Sequence, residues 1–123
     1  METRIKEKPF SFTVNTALQP YSEKFQLDKN VIRVLGIAIS SDYPELLYYR
    51  GTQKIEINSE ELFEENHESK MLMRGLAEKK YYELGDAVFP GNGEVKILYR
   101  DNNNTNAAFQ PYKVTLYLLV EIK

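Results

Sequence analysis

The most regular stretch of the chain is Tyr112–Lys123. Val114, Leu116, Leu118, Val120 and Ile122 alternate there with Lys113, Thr115, Tyr117 and Glu121, and Leu119 is the one apolar residue on the second face. A period of two without Gly or Pro predicts a long strand with one buried face. Such a strand requires partners of similar length, so the rest of the chain is expected to supply a sheet. Shorter alternations do recur. Phe10, Phe12 and Val14 share a face, Tyr21, Glu23, Phe25 and Leu27 share another, and Val95, Ile97 and Tyr99 a third. Val31–Ile39 is apolar on both faces, as in an inner strand of a sandwich or one covered by a subunit partner. Gly36 interrupts it and marks a bulge or the close approach of another backbone.

The connections are read from turn chemistry. Asp28-Lys29-Asn30 reads as a hairpin loop with Asn30 in the left-handed conformation. Leu46–Arg50 and Gln53–Asn58 read as a hairpin across Gly51-Thr52, a type II′ pattern that would turn Tyr48 to the core and set Leu47 and Tyr49 on the outer face. Asn58-Ser59-Glu60-Glu61 has the spacing of a helix start, followed by a loop at Glu64–Glu68 and a short strand at Lys70–Met73. Residues 76–84 stay open. Ala77, Tyr81 and Leu84 are spaced for a helix closed by Gly85, whereas Tyr81–Leu84 also suits a strand. Gly91-Asn92-Gly93 is a turn, since no strand-to-helix context makes it a phosphate loop. Seven to nine short strands at regular spacing predict an all-β fold. The expected form is an antiparallel β-sandwich or jelly roll of about eight strands with one or two short helical turns. Residues 1–8 are expected to form a polar N-terminal arm and 9–123 a single domain.

Composition narrows the function classes. The 123 residues are 42% apolar and 28% charged, with a net charge of -2. That length can bury one core without staples. The charge is mixed along the chain with no polybasic block, which argues against nucleic acid as a partner. No run of about 18 apolar residues is present, so no membrane span is expected. The charged start lacks the apolar core of a signal peptide, and synthesis in the cytoplasm without one is expected. There is no cysteine and a single histidine, which removes disulfides and most zinc and nucleophile–base arrangements.

Candidate chemistry is sparse. The run Asp101–Asn106 offers oxygen ligands at alternate positions, as a calcium loop does. However, Asn106 stands where an EF-hand has glycine and Tyr112 where it has its bidentate carboxylate, so an exposed turn is the expectation. His67 among Glu64, Glu65 and Glu68 has no partner histidine and is expected in a solvated loop. Glu60, Glu61, Glu64 and Glu65 could form a glycosidase pair, but acidic runs beside a helix start are ordinary dipole complements. No catalytic, cofactor-binding or metal-ligating residues are therefore assigned, and no enzyme activity is expected. The nine tyrosines are more suggestive, because tyrosine is enriched at interfaces. Tyr43, Tyr49, Tyr81 and Tyr82, with Leu47 and Leu119 on otherwise polar faces, are the candidate interface or ligand contacts.

The polar arm, the strand Val31–Ile39, the stretch Leu46–Asn58, the loop-rich middle and Val95–Arg100 before Tyr112–Ile122 cover nearly the whole chain. Together they resemble the small jelly-roll structural proteins of bacteriophage particles, such as minor capsid or capsid-decorating subunits. The resemblance implies a virion protein that assembles with itself as a symmetric homo-oligomer and with other virion proteins, without catalytic residues. The alternative is a carbohydrate-binding module in which Tyr49 or Tyr81 and Tyr82 stack on a glycan beside Asn102–Asn106. A cupin-like enzyme shares the fold class, but its metal site draws on several histidines and this chain has one.

Overall fold

The computed structural model describes residues 3–73, 81–88 and 91–123. They form eight strands: β1 (Arg4–Val14), β2 (Pro20–Gln26), β3 (Val31–Ser41), β4 (Gly51–Ile57), β5 (Glu60–Glu68), β6 (Tyr82–Val88), β7 (Glu94–Asp101) and β8 (Tyr112–Ile122). One helix, α1 (Pro44–Arg50), and a 3-10 turn at Ser69–Met71 lie between them. Two four-stranded antiparallel sheets result, in the orders β1-β8-β3-β6 and β2-β7-β4-β5. In sequence, β1 pairs with β8, β2 with β7, β3 with β6 and β4 with β5. The chain is thus one long hairpin rolled up, and the contacts β8–β3 and β7–β4 close each sheet. This is the strand order of an eight-stranded jelly roll.

The alternation read in β8 sets the core. Val114, Leu116, Leu118 and Val120 are fully buried and Ile122 is 2% exposed, each contributing about 1.5–3 kcal/mol of burial. Across the gap stand Ile55 and Ile57 of β4 and Val95, Ile97 and Tyr99 of β7, all fully buried. The flanks are closed by aromatic pairs. Phe10 of β1 stacks on Phe25 of β2 at 4.7 Å, and Tyr82 of β6 meets Phe63 of β5 edge-on at 5.2 Å.

Residues 4–8, expected as an arm, are the first half of β1, with Arg4 opposite Ile122 and Lys8 opposite Leu118. β3 is an inner strand, as its two apolar faces suggested. Its register shifts between Val34 and Gly36 on both sides. A Cβ at Gly36 would lie 2.9 Å from the Tyr81 Cβ and 3.2 Å from the Tyr82 carbonyl oxygen, so the glycine serves both a bulge and a close approach.

Several connections differ from expectation. Asp28–Asn30 links β2 to β3, which lie in different sheets, so it is an arch rather than a hairpin. Its Asn30 is not among the positive-φ residues. The expected hairpin over Gly51-Thr52 is instead a helix running into a strand. Pro44 opens α1, Glu45 lies in its first turn and Arg50 in its last, which suits proline at the first position and the charge preference of the two ends. Leu46, Leu47 and Arg50 form its buried side while Tyr48 and Tyr49 stay outside. Tyr48 is therefore not a core residue and Leu47 is not a surface one. The true hairpin joins β4 to β5 through Asn58 (φ 52°) and Ser59 (φ 64°). Two successive left-handed residues match the right-handed strand twist, so Asn58 closes a turn rather than capping a helix. Glu60, Glu61 and Glu64 consequently lie on a strand and not at a helix start. Of Lys70–Met73, Lys70 and Met71 end the 3-10 turn and Met73 makes a lone bridge to Ile39. Of the open stretch 76–84, residues 76–80 lie outside the described residues and Tyr82–Leu84 are strand.

Candidate functional site

Four connections gather at one end of the roll: residues 15–19, α1, the 3-10 turn after β5, and the loop 102–111. A buried ion pair holds them. Arg50, at the end of α1, directs Nε to Asp101 Oδ1 at 3.0 Å and Nη2 to Asp101 Oδ2 at 2.9 Å. Arg50 is 4% exposed and Asp101 fully buried. The third guanidinium nitrogen, Nη1, donates to the Ala107 carbonyl at 3.0 Å, and the Phe109 ring lies 5.4 Å away. Asp101 also accepts from the Leu18 backbone N–H at 3.0 Å and from the Tyr112 hydroxyl at 2.8 Å. The Tyr99 hydroxyl then donates to Tyr112 at 2.7 Å. One carboxylate thus ties β7, α1, the loop 15–19 and the start of β8 together. The hydrogen bonds with Asp101 hold the Arg50 guanidinium above its ordinary pKa. Burial raises both tyrosine hydroxyls well above 10.

Above this network opens a cleft of about 470 Å³, lined in part by Tyr48, Tyr49, Thr52, Lys70, Asn102 and Asn104. Its walls are pinned from behind. Asn104 donates to the Tyr49 carbonyl at 3.0 Å, and Asn102 donates through Nδ2 to the Arg50 carbonyl at 3.1 Å and to the Thr52 hydroxyl oxygen at 3.0 Å. The rings of Tyr48 and Tyr49 meet edge-on at 4.9 Å yet remain 48% and 43% exposed. Lys70 reaches Glu68 at 2.9 Å and lies 5.7 Å over the Tyr48 ring; the Glu68 carboxylate raises its pKa. The cleft therefore offers aromatic surface beside amide, hydroxyl and paired charged groups.

Gly51 lies under the cleft. A Cβ there would sit 2.5 Å from the Tyr99 hydroxyl, 2.6 Å from Ser69 Oγ and 2.9 Å from the Leu47 carbonyl oxygen, so β7, the 3-10 turn and α1 together leave it no room. Beside it, Ser69 donates to Gln53 Oε1, and Gln53 Nε2 donates to His67 Nδ1 at 2.9 Å. An amide nitrogen can only donate, so with the Gln53 amide in this orientation His67 Nδ1 is the acceptor. Burial lowers its pKa, opposed by the Glu68 charge. His67 is thus a half-buried strand residue rather than a solvated loop one.

The expected contact residues scatter. Tyr49 lies in the cleft, and Tyr43 is 37% exposed just ahead of α1. Tyr82 is 48% exposed on β6 at a flank. Leu47 is fully buried and cannot contact a partner. Leu119 stands between Glu7 and Gly36 in one cross-strand row. Tyr81 begins over Gly36 and its hydroxyl donates to Glu7, the two residues on either side of Leu119, which is half-buried. Asp101 is no exposed turn residue. Among the described residues no group of three or more His, Cys, Asp and Glu side chains is placed to hold a metal ion, and no helix is long and apolar enough to cross a membrane. The sequence assigns Arg50 and Gln53 no role, and it gives Asp101 and Tyr112 none in a buried network. For Asp101 a signal existed, because the inward series Val95, Ile97, Tyr99 continues to it.

Comparison of the chain with protein-family models, with curated proteins and with solved structures finds no match.

Proposed function

We propose that the chain is a non-enzymatic structural and interaction protein, a single jelly-roll subunit of the kind found in phage virions. In this reading it joins copies of itself and other particle proteins through several surfaces. The observation that carries the reading is the placement of large apolar side chains outside a closed core. Tyr43, Tyr48, Tyr49 and Met71 are exposed at the loop end, and Ile5 and Tyr82 at the two flanks, at 37–62%. Aromatic and aliphatic side chains presented on rigid elements are the material of protein contacts. The jelly-roll order adds support by analogy of fold, which alone assigns no function. Light scattering on the eluting chromatographic peak tests the reading. Concentration-dependent oligomers are expected, and a monomer at high concentration would remove the self-assembly part of it.

A second reading is favoured by the cleft. Tyr48 and Tyr49 beside Asn102, Thr52 and Lys70 could receive a sugar, with a ring face on tyrosine and hydroxyls on the polar groups. Affinity on a glycan array that Tyr49→Ala abolishes would establish it, and silence across a broad array would exclude it.

A further inference from the structure

The two flanks of the roll differ in chemistry. On one flank β1 ends the first sheet. Its Arg4 and Lys6 are exposed and have no ion-pair partner among the described residues, and Ile5, which points to the other face of the strand, is 53% exposed. Lys8, next on the same side of the strand, is already neutralised by Asp28. This edge therefore presents two cations without a direct ion pair on one face, Lys6 within reach of the Asp28 charge, and an exposed aliphatic side chain on the other.

On the opposite flank, β5 and β6 are the edge strands of the two sheets. A groove of about 430 Å³ opens there, with Phe63, Tyr82 and His67 in its walls and Glu64 at its border. Tyr82 packs edge-on against Phe63 and His67 lies 4.4 Å from Phe63, so the wall is aromatic. Lys54 answers Glu61 and Lys70 answers Glu68, which leaves Glu60 and Glu64 of β5 without an ion pair among the described residues. Cations are drawn both to carboxylates and to the faces of such rings.

We propose that copies of this chain associate flank to flank, Arg4 and Lys6 on the β1 edge of one copy seating against Phe63, Tyr82 and Glu64 of the next. The proposal rests on the assembly reading above and names the surface that performs it. Because the two patches lie on different edges of one molecule, the contact is heterologous and repeats into a ring or a filament. Pro9 lacks the N–H that continuous strand pairing along the β1 edge would use. Side chains therefore carry the join, and it weakens as salt screens the exposed charges. The loop end, with its cleft, stays free for another partner.

Sedimentation velocity of the full chain over a concentration series, at low and high salt, tests this. Five proteins are compared: the parent, Lys6→Glu, Glu64→Lys, the double exchange, and Tyr82→Ala, each checked for folding by circular dichroism. The parent is expected to associate, less so at high salt. Each single charge reversal and Tyr82→Ala should weaken association at least tenfold, and the double exchange should recover most of the loss. A parent that stays monomeric throughout would overturn this contact and self-assembly with it. Association indifferent to all the substitutions would overturn the flank contact alone, leaving assembly to another surface. Single losses that the double exchange does not recover would also overturn the pairing.

Discussion

Asp101 accepts four hydrogen bonds while showing no surface to solvent, and that sets the consequence of removing its partner. Arg50→Met leaves a buried carboxylate with no cation, and breaking a buried pair from one side costs about 3–5 kcal/mol. Urea unfolding should show a loss of that size. The double change Arg50→Met with Asp101→Leu should lose less, since no charge is then stranded. The hydroxyls of Tyr99 and Tyr112 make a second prediction. Their folded pKa values lie above the ordinary 10.0, chiefly because burial disfavours the phenolate. The native state keeps protons that the unfolded chain gives up, so stability holds below about pH 10 and falls as pH rises beyond it. Thermal melts from pH 9 to 11 should show a steeper fall than those of Tyr99→Phe, which has one such group fewer. At this scale the sequence was only half legible. The inward parity of Asp101 could be counted, but that Arg50 sits opposite it depends on a helix that local pattern disguised as a strand.

At the scale of elements, regular period-two segments were legible and irregular ones were not. β7 and β8 bury the residues their alternation named. β4 begins at Gly51, and Gly51, Gln53, Ile55 and Ile57 form its buried face, a series that hides because its first two members are a glycine and a glutamine. α1 is hidden because its central Leu46-Leu47-Tyr48-Tyr49 suits either structure, and Pro44 is the signal that decides it. The β4–β5 hairpin was misplaced because Asn58 serves equally as a helix cap and a left-handed turn residue. That turn carries a prediction. Ser59 holds φ 64°, a conformation that costs an L-residue about 1–2 kcal/mol and glycine far less. Ser59→Gly should therefore be neutral to stabilising by up to about 1 kcal/mol in chemical unfolding, after the entropy of the unfolded glycine is counted. Ser59→Val should destabilise.

For the whole molecule, the number and kind of strands were legible while their order in space was not. Order follows from which distant segments pair, and no local pattern records that β1 meets β8. Candidate contacts suffered most from this. Leu47 and Leu119 read as uncovered apolar residues, yet Leu47 is fully buried and Leu119 is half-buried. Tyr43, Tyr49 and Tyr82 are exposed, because a ring with a polar tip is tolerated at a surface whatever the fold. The same long-range pairing predicts slow folding, in the millisecond-to-second range of non-local β topologies. Stopped-flow refolding in a urea series would measure it.

The pairing of Arg4 with Ile122 has a mechanical consequence. The two strands run antiparallel and residues 4 and 122 lie side by side, so a load applied between them pulls across the β1–β8 ladder rather than along it. The ladder then opens one rung at a time, and little force is needed. Gripped at residues 18 and 122 instead, β1 and β8 are drawn lengthwise and several rungs must fail together. Single-molecule pulling should record a markedly lower rupture force for the first attachment than for the second. The molecule is soft where residues 4 and 122 meet and stiff along its strands.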